Sequence, residues 1–290
     1  MSWRVVVISR RAKLDLKMDY LVVRGDATQR IHLSEISLLM IESTAVSLTV
    51  SLLSELTKRK IKVIFCDEKR NPSSELLPFY GSHDTSSKIR KQLEWKKSTK
   101  ELVWTEIITD KIQKQKKVLE FFKREESNLI EKYISEIKHN DETNREGHAA
   151  KVYFNALFGM DFTRGTDNAI NASLNYGYGI ILSVFTREIV ANGYITQIGI
   201  FHNNMFNQFN FASDLMEPFR PLVDFLVYKL NPEKFEHDEK MTVLNLLNLE
   251  IFLDGKKQYV NNAIKVYCRS IFDALNENDV GMIRFYKNEL

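Results

Sequence analysis

The sequence contains little cysteine and lacks the short motifs that identify common catalytic folds. Its two cysteines, Cys66 and Cys268, lie far apart without a C-x-x-C pair, which argues against a disulfide framework and a structural zinc site. It contains no G-x-x-x-x-G-K-[ST], G-x-G-x-x-G or G-x-S-x-G, which excludes phosphate-binding loops and nucleophile elbows of those types. Any catalysis is therefore expected to depend on a metal rather than on a side-chain nucleophile.

Long apolar runs are also missing. No run reaches the roughly 18 residues that cross a bilayer, and residues 1–11 lack the apolar region of a signal peptide. We therefore expect a cytoplasmic protein with no membrane partner. The net charge is only +3, but lysine and arginine are dense between Lys88 and Arg124. That density is typical of a solvated helix face, and it also suits a surface that binds a polyanion.

The first third of the sequence is rich in β-forming residues. Short alternating or apolar segments predict strands, and the spacing of the apolar residues in 49–60 predicts one helix. Residues 1–70 are therefore predicted to form a small β-rich domain with one helix. The predicted strands are Trp3–Ser9, Ala12–Met18, Tyr20–Arg24, Arg30–Leu33, Ile36–Ile41 and Ile61–Cys66.

The pattern changes after residue 70. Pro72, Pro78 and Gly81 interrupt it, so 71–87 is predicted to be a linker. Beyond it, apolar residues recur at three-and-four spacing, which predicts helices and a larger all-α domain at 88–290. The fold class is thus α+β, with a β-rich domain followed by a helical one. The predicted helices are Asn171–Val190, Asp214–Leu230, Lys257–Leu275 and one along the apolar stripe from Val118 to Ile137.

Four polar residues in the second part are candidates for a metal site. Glu146 starts an apolar segment, His202 precedes an asparagine-rich run, and Asp214 and Glu217 are three residues apart. On a helix, residues at i and i+3 share a face, so the last two carboxylates are expected to point at one spot. Carboxylates with one imidazole suit Mg²⁺ or Mn²⁺, and such an ion acts on phosphates.

Each candidate also has an ordinary structural explanation. Glu146 is placed as a first-turn acid, and His202 resembles many satisfied imidazoles. Asp214 and Glu217 fit first-turn acids that follow a Ser213 cap. The surroundings are apolar and aromatic, however, so unpaired carboxylates would be costly there and a shared cation would offset that cost. The residues alone leave both explanations open.

Three sequence blocks resemble the CRISPR-associated adaptation integrases, the family of the first Cas protein (Cas-one). The asparagine-rich third block also resembles the type II-A branch. The resemblance implies that Glu146, His202 and Glu217 bind the metal, with Asp214 as a supporting catalytic residue. The blocks are E-G-H-A-A-K-V-Y-F-N-A-L-F-G from Glu146, N-A-S-L-N-Y-G-Y-G-I-I-L from Asn171, and F-H-N-N-M-F-N-Q-F-N-F-A-S-D-L-M-E-P-F-R-P-L-V-D from Phe201.

The resemblance further implies a function. Members of this family join the 3′-hydroxyl of a double-stranded prespacer to a phosphodiester of CRISPR repeat DNA. They act as homodimers, which pair largely through the β domain and assemble with the second Cas protein into a heterohexamer-like complex; other type II-A adaptation proteins are further expected partners. His148 is a weaker candidate for proton transfer. Basic residues expected to contact DNA phosphates are Lys88, Arg90, Lys91, Lys96, Lys97 and Arg220.

Two alternatives to an integrase stay open. A stand-alone structure-specific DNA endonuclease would use the same residues, because water and a DNA hydroxyl differ little as nucleophiles. A non-catalytic DNA-binding scaffold would use the acids only as caps and ion-pair partners. Loss of DNA joining on substitution of Glu217 separates the scaffold from the enzymes.

Overall fold

The computed structural model describes residues 4–78 and 82–287. The chain divides into two compact units, one comprising 1–85 with 190–193 and the other comprising 86–189 with 194–290. The predictions made for Trp3 and Gly81 lie outside the described residues.

The first unit contains two four-stranded sheets. The first sheet has the order β1-β5-β7-β8, in which only the last pair is antiparallel, and the second has the order β4-β3-β2-β6, in which only the last pair is parallel. The elements are β1 (Arg4–Ile8), β2 (Ala12–Lys17), β3 (Tyr20–Arg24), β4 (Thr28–His32), β5 (Ile36–Ile41), β6 (Val46–Leu48), α1 (Val50–Lys58), β7 (Lys62–Cys66) and β8 (Pro72–Leu76).

The strand predictions for this unit are confirmed, and the reason is burial. All six residues of the central strand β5 are buried, as expected for a continuous apolar run between parallel neighbours. Leu52 and Leu56 on α1 join the core that the two sheets share. The segment predicted as a linker, 71–87, differs from expectation. It contains β8, which pairs with β7 at one edge of its sheet, the position where a strand tolerates proline.

The second unit is mostly helical, as predicted. Among the described residues, one short hairpin of the strands Glu250–Leu253 and Lys256–Tyr259 interrupts the helices. The elements are α2 (Thr85–Glu94), α3 (Lys97–Phe121), α4 (Ser127–Ser135), α5 (Arg145–Phe158), α6 (Ala169–Ala191), α7 (Asn210–Met216), α8 (Arg220–Leu230), α9 (His237–Leu244), β9 (Glu250–Leu253), β10 (Lys256–Tyr259) and α10 (Val260–Glu277).

Three of the predicted helices have different bounds. The apolar stripe from Val118 to Ile137 is divided between α3 and α4, because Lys123 adopts a positive φ of 55° that ends the first helix. Residues 257–275 begin as strand β10 before α10 starts. The prediction for Asn171–Val190 is confirmed by α6.

The predicted helix Asp214–Leu230 is broken into three pieces. α7 ends at Met216, a 3-10 turn spans Glu217–Phe219, and α8 follows from Arg220. Pro218 and Pro221 lie at the starts of the turn and of α8, positions where the missing amide hydrogen costs nothing. Asp214 and Glu217 consequently belong to different elements.

Candidate functional site

Glu146 and Glu217 converge on one ammonium group in the helical unit. Lys111, near the middle of α3, donates from Nζ to Oε1 of Glu146 and to Oε2 of Glu217, each at 2.5 Å. The lysine and Glu217 are buried, and the Glu146 side chain is 26% exposed. α3 packs against both α5, which carries Glu146, and the 3-10 turn, which begins at Glu217. Helix packing therefore brings together two acids that are far apart in sequence.

Glu217 is held on both of its oxygens. Arg220 donates from Nε to Oε1 of Glu217 at 2.8 Å, while Lys111 occupies Oε2. Burial by itself would raise the pKa of Glu217, but the Arg220 guanidinium and then the Lys111 ammonium lower this pKa to about 2. Arg220, which the sequence predicts as a DNA contact, is thus the ion-pair partner of Glu217 in the structure.

Asp214 and Glu217 have different direct partners, because Asp214 accepts from His202 whereas Glu217 accepts from Lys111 and Arg220. Oδ1 of Asp214 lies 2.5 Å from Nδ1 of His202, and this carboxylate accepts backbone N–H groups of Ile200, Phe201 and His202. Asp214 is fully buried. The hydrogen bond that His202 donates to Asp214 raises the pKa of His202 and outweighs burial, which would lower it. When the neutral ring donates from Nδ1 to this carboxylate, Nε2 is the acceptor nitrogen.

A glycine permits this arrangement. A Cβ at Gly199 would lie 2.5 Å from Oδ2 of Asp214 and 2.5 Å from the carbonyl oxygen of His202, closer than any side chain tolerates. The loop is also fixed by Asn210, whose amide donates to the carbonyl oxygens of Gln197 and Asn204 at 3.0 Å. The residues around His202 thus form a loop of fixed conformation that precedes α7.

The donor chemistry fits a divalent cation. The carboxylates of Glu146 and Glu217 both contact the Lys111 ammonium group. Nε2 of His202 would add the nitrogen ligand that such metal sites use. Across residues 4–78 and 82–287, no group of three His, Cys, Asp or Glu side chains is arranged to hold a metal ion. Two of the three predicted ligands therefore converge on Lys111, while His202 is hydrogen-bonded to Asp214 and lies near enough to Glu217 and Glu146 for their charges to raise its pKa as well.

A second buried acid lies near the first group. Asp224, on α8, is 1% exposed and accepts from the hydroxyl of Tyr178 on α6. The Tyr178 ring lies 4.7 Å from the guanidinium carbon of Arg220 and 5.3 Å from that of Arg164. Burial raises the pKa of Asp224 to about 6, although the Tyr178 hydrogen bond lowers it. Tyr178 therefore connects Asp224 with the arginine that holds Glu217.

The basic residues predicted to contact DNA follow the start of the helical unit. Arg90, Lys91, Lys96 and Lys97 are exposed on or beside α2. Lys88 is half-buried, with its Nζ 5.8 Å from the centroid of the Tyr194 ring. The exposed members are thus placed on the surface, where a phosphate backbone would be accessible to them. The weaker candidate His148 is exposed as well.

Sequence reasoning missed Lys111 because it lies inside a basic run that indicates a solvated face. A signal was present in the spacing. Lys111 follows the buried Ile107 by four residues and precedes the buried Val118 by seven, which places it on the apolar side of α3. Asp224 was also missed. The signal was its spacing, because Asp224 follows Arg220 by four residues, which is one helical turn.

None of the helices in the described ranges combines the length and apolar character needed to cross a membrane.

Comparisons with known proteins agree with one another. Residues 5–255 match the family model described as CRISPR associated protein Cas1. The chain is 33% identical over 232 residues to the CRISPR-associated endonuclease Cas1 of Neisseria meningitidis serogroup C (strain 8013), covering 79% of this chain and 76% of the relative. It is 26% identical over 278 residues to the CRISPR-associated endonuclease Cas1 1 of Francisella tularensis subsp. novicida (strain U112), covering 87% of each.

Solved structures share the fold. A casposase bound to an integration product superimposes with a TM-score of 0.76 at 19% identity, covering 97% of this chain and 92% of that chain. A chain of a Cas6-RT-Cas1–Cas2 complex gives a TM-score of 0.71 at 14% identity, covering 97% of this chain and 36% of that longer one. At these identities the likeness establishes the architecture.

Proposed function

The chain belongs to the Cas1 family of CRISPR-associated proteins, and we propose that it is a metal-dependent DNA integrase of CRISPR adaptation. Its reaction would join the 3′-hydroxyl of prespacer DNA to a phosphodiester of the repeat by transesterification. The observation that carries the proposal is the convergence of Glu146 and Glu217 on one cationic centre. The relatives named endonucleases support a phosphodiester substrate. Placement in a type II-A-like branch stays a prediction.

In this reaction the nucleophile comes from the substrate. The protein therefore has to position the reacting DNA groups and to neutralise the charge that develops in the transition state. A Mg²⁺ or Mn²⁺ ion held by Glu146, Glu217 and Nε2 of His202 would stabilise the charge that develops on the attacked phosphate. Asp214 orients the His202 ring and fixes which nitrogen is free. Arg220 fixes the Glu217 carboxylate. The buried positions of Asp214 and Glu217 keep this geometry from relaxing into solvent.

DNA has to be held over more than the reacting phosphate. We assign Arg90, Lys91, Lys96 and Lys97 to backbone contacts, which position a duplex without reading its sequence. Two solved structures with the same fold are Cas6-RT-Cas1–Cas2 complexes, one of them partial, which supports the second Cas protein as a partner. The β-rich unit is assigned to homodimerisation.

Replacing Glu217 by glutamine tests the proposal. The amide keeps the size of the side chain but removes the negative charge, so joining of labelled prespacer to repeat DNA with Mn²⁺ and the second Cas protein should fall at least 100-fold. DNA binding in a gel-shift assay should persist. Glu142→Gln is the matched control, because Glu142 is an exposed acid four residues before Glu146. It should join DNA as the wild type does.

The outcomes separate the alternatives. Joining that is unchanged in Glu217→Gln would identify a scaffold. Cleavage without joining in the wild type, at every metal and partner concentration, would identify an endonuclease. Either result contradicts the integrase proposal, whereas loss of joining in Glu217→Gln with retention in Glu142→Gln supports it.

A further inference from the structure

Lys111 is a buried lysine that contacts both proposed carboxylate ligands. Its Nζ lies 2.5 Å from Oε1 of Glu146 and 2.5 Å from Oε2 of Glu217. Its side chain is 8% exposed, although the mechanism above gives it no part. Lysine is rarely buried unless it is paired, so this position is defined by the two acids. With Arg220 on the remaining oxygen of Glu217, two positive and two negative side chains cancel locally.

We propose that Lys111 is a built-in competitor of the divalent cation. Its ammonium neutralises Glu146 and Glu217 and keeps them together while the metal is absent, and it has to leave that position when the metal binds. This inference rests on the proposed function, since it takes the two acids as metal ligands. It adds a means of regulating the same site, because competition from Lys111 makes the affinity for the metal lower than the ligands alone would give.

The distances between the Lys111 ammonium and the two carboxylates show why it would compete directly with a metal ion. A Mg²⁺ ion binds carboxylate oxygens at about 2.1 Å. Since Nζ is 2.5 Å from each oxygen, an ion bound to the same oxygens would lie within about 4.6 Å of the ammonium, a limit set by adding the two lengths. A single and a double positive charge repel strongly at that distance in a buried site. The ammonium and the metal therefore compete for the same carboxylate oxygens.

Lys111, rather than Arg220, is the residue suited to this exchange. Arg220 contacts only one of the two acids and its planar group also stacks against the ring of Tyr178, with 4.7 Å between guanidinium carbon and ring centroid. Lysine instead carries a compact charge on a flexible four-carbon stem. Rotation about the bonds of this stem can move the ammonium away from both carboxylates.

The test is the affinity of the protein for Mn²⁺, measured by isothermal titration calorimetry without DNA. Lys111→Met keeps a long unbranched side chain and removes the charge, so it leaves the two acids without their shared cation. We expect the Kd for Mn²⁺ to fall at least tenfold, which corresponds to about 1.4 kcal/mol. The metal-free variant should melt at a lower temperature than the wild type, and Mn²⁺ should raise its Tm by more.

Lys114→Met is the matched control. Lys114 is one turn further along α3, is equally buried, and pairs with Asp110 instead of the proposed ligands. Its loss should leave the Kd for Mn²⁺ within twofold of the wild type. Lys111→Arg keeps a positive charge and should not tighten binding. If Lys111→Met does not fold, Lys111→Gln takes its place with the same expected gain.

The results distinguish this inference from the proposed function. Wild type that joins DNA with Mn²⁺, together with a Kd that is unchanged or higher in the uncharged variant, overturns the competition alone. Wild type that neither binds Mn²⁺ nor joins DNA, and an uncharged variant that does not bind Mn²⁺ either, overturns both. A lower Tm without a lower Kd would show that Lys111 is merely structural.

Discussion

Two buried acids, Glu217 and Asp224, respond to their surroundings in opposite directions. The pKa of Glu217 is lowered to about 2 because Arg220 and Lys111 both contact its oxygens. Burial raises the pKa of Asp224 to about 6, since its hydrogen-bond donor is the neutral hydroxyl of Tyr178. Seven residues thus separate Glu217, which is an anion at neutral pH, from Asp224, which titrates near pH 6.

The titration of Asp224 predicts a pH dependence of stability. Its folded-state pKa of about 6 exceeds the ordinary 3.8, so the folded protein binds this proton more tightly than the unfolded chain. The carboxyl therefore contributes stability that is complete below about pH 4 and is lost as the pH rises through about 6. Asp224→Asn cannot titrate. The difference in free energy of unfolding between wild type and variant should decline by about 1–3 kcal/mol from pH 4 to pH 7.

Urea denaturation of both proteins across this range measures the difference. Asp273→Asn is the control, because Asp273 is an exposed acid on α10; its difference from the wild type should stay flat. A flat difference for Asp224→Asn as well would mean that the pKa of Asp224 is not raised in the folded protein.

At the scale of elements, two glycines of α6 have different reasons to be present. A Cβ at Gly177 would collide with the side chain of Val223 on α8 and lie 3.1 Å from Cγ1 of Val243 on α9. A Cβ at Gly179 would meet nothing within 4 Å. The first glycine therefore permits close packing of three helices, whereas the second has no contact that requires it.

This difference predicts opposite effects of one substitution. Gly177→Ala should lower the free energy of unfolding by about 1–3 kcal/mol through overpacking. Gly179→Ala should raise it by about 0.5–1 kcal/mol, since alanine favours a helix more than glycine does. Urea denaturation at pH 7 compares the two variants. An equal rise in the free energy of unfolding for both variants would show that helix propensity, not packing against Val223, decides both.

Element bounds were predictable where one period continued without interruption. The period of α6 extends over its whole length, and its bounds are close to those predicted. The stripe from Val118 to Ile137 keeps its period across a break at Lys123, because α4 buries the same kinds of residues as α3 after the chain turns. Periodicity reports which residues are buried and does not detect a turn that preserves the pattern.

At the scale of the whole molecule, the proposed assembly predicts a mass. Homodimerisation through the β-rich unit should give a particle of twice the chain mass of 33.9 kDa in analytical ultracentrifugation. Addition of the second Cas protein should produce a heavier complex, because the proposed assembly contains both proteins. We expect the dimer to persist at high salt, since a stable dimer interface depends mainly on apolar burial.

A concentration series provides the control for this measurement. A sedimentation coefficient that stays constant over a tenfold dilution indicates a stable dimer. A protein that sediments as a monomer at tens of micromolar, with or without its partner, would contradict the assignment of residues 1–70 to dimerisation.

The sequence by itself determined the order of a β-rich and a helical part, because strand and helix periods differ and depend on local burial. It also indicated Glu146, His202, Asp214 and Glu217 as candidates, because their spacing and the three sequence blocks that contain them are local features of the chain. Tertiary structure decided which side chains meet. Lys111 joins Glu146 to Glu217 only because α3 passes between the elements that carry them. Asp214 meets His202 because the loop at residues 200–202 packs its backbone N–H groups and the imidazole against this carboxylate. Contacts between residues this far apart in sequence depend on how the helices pack, which no local pattern records.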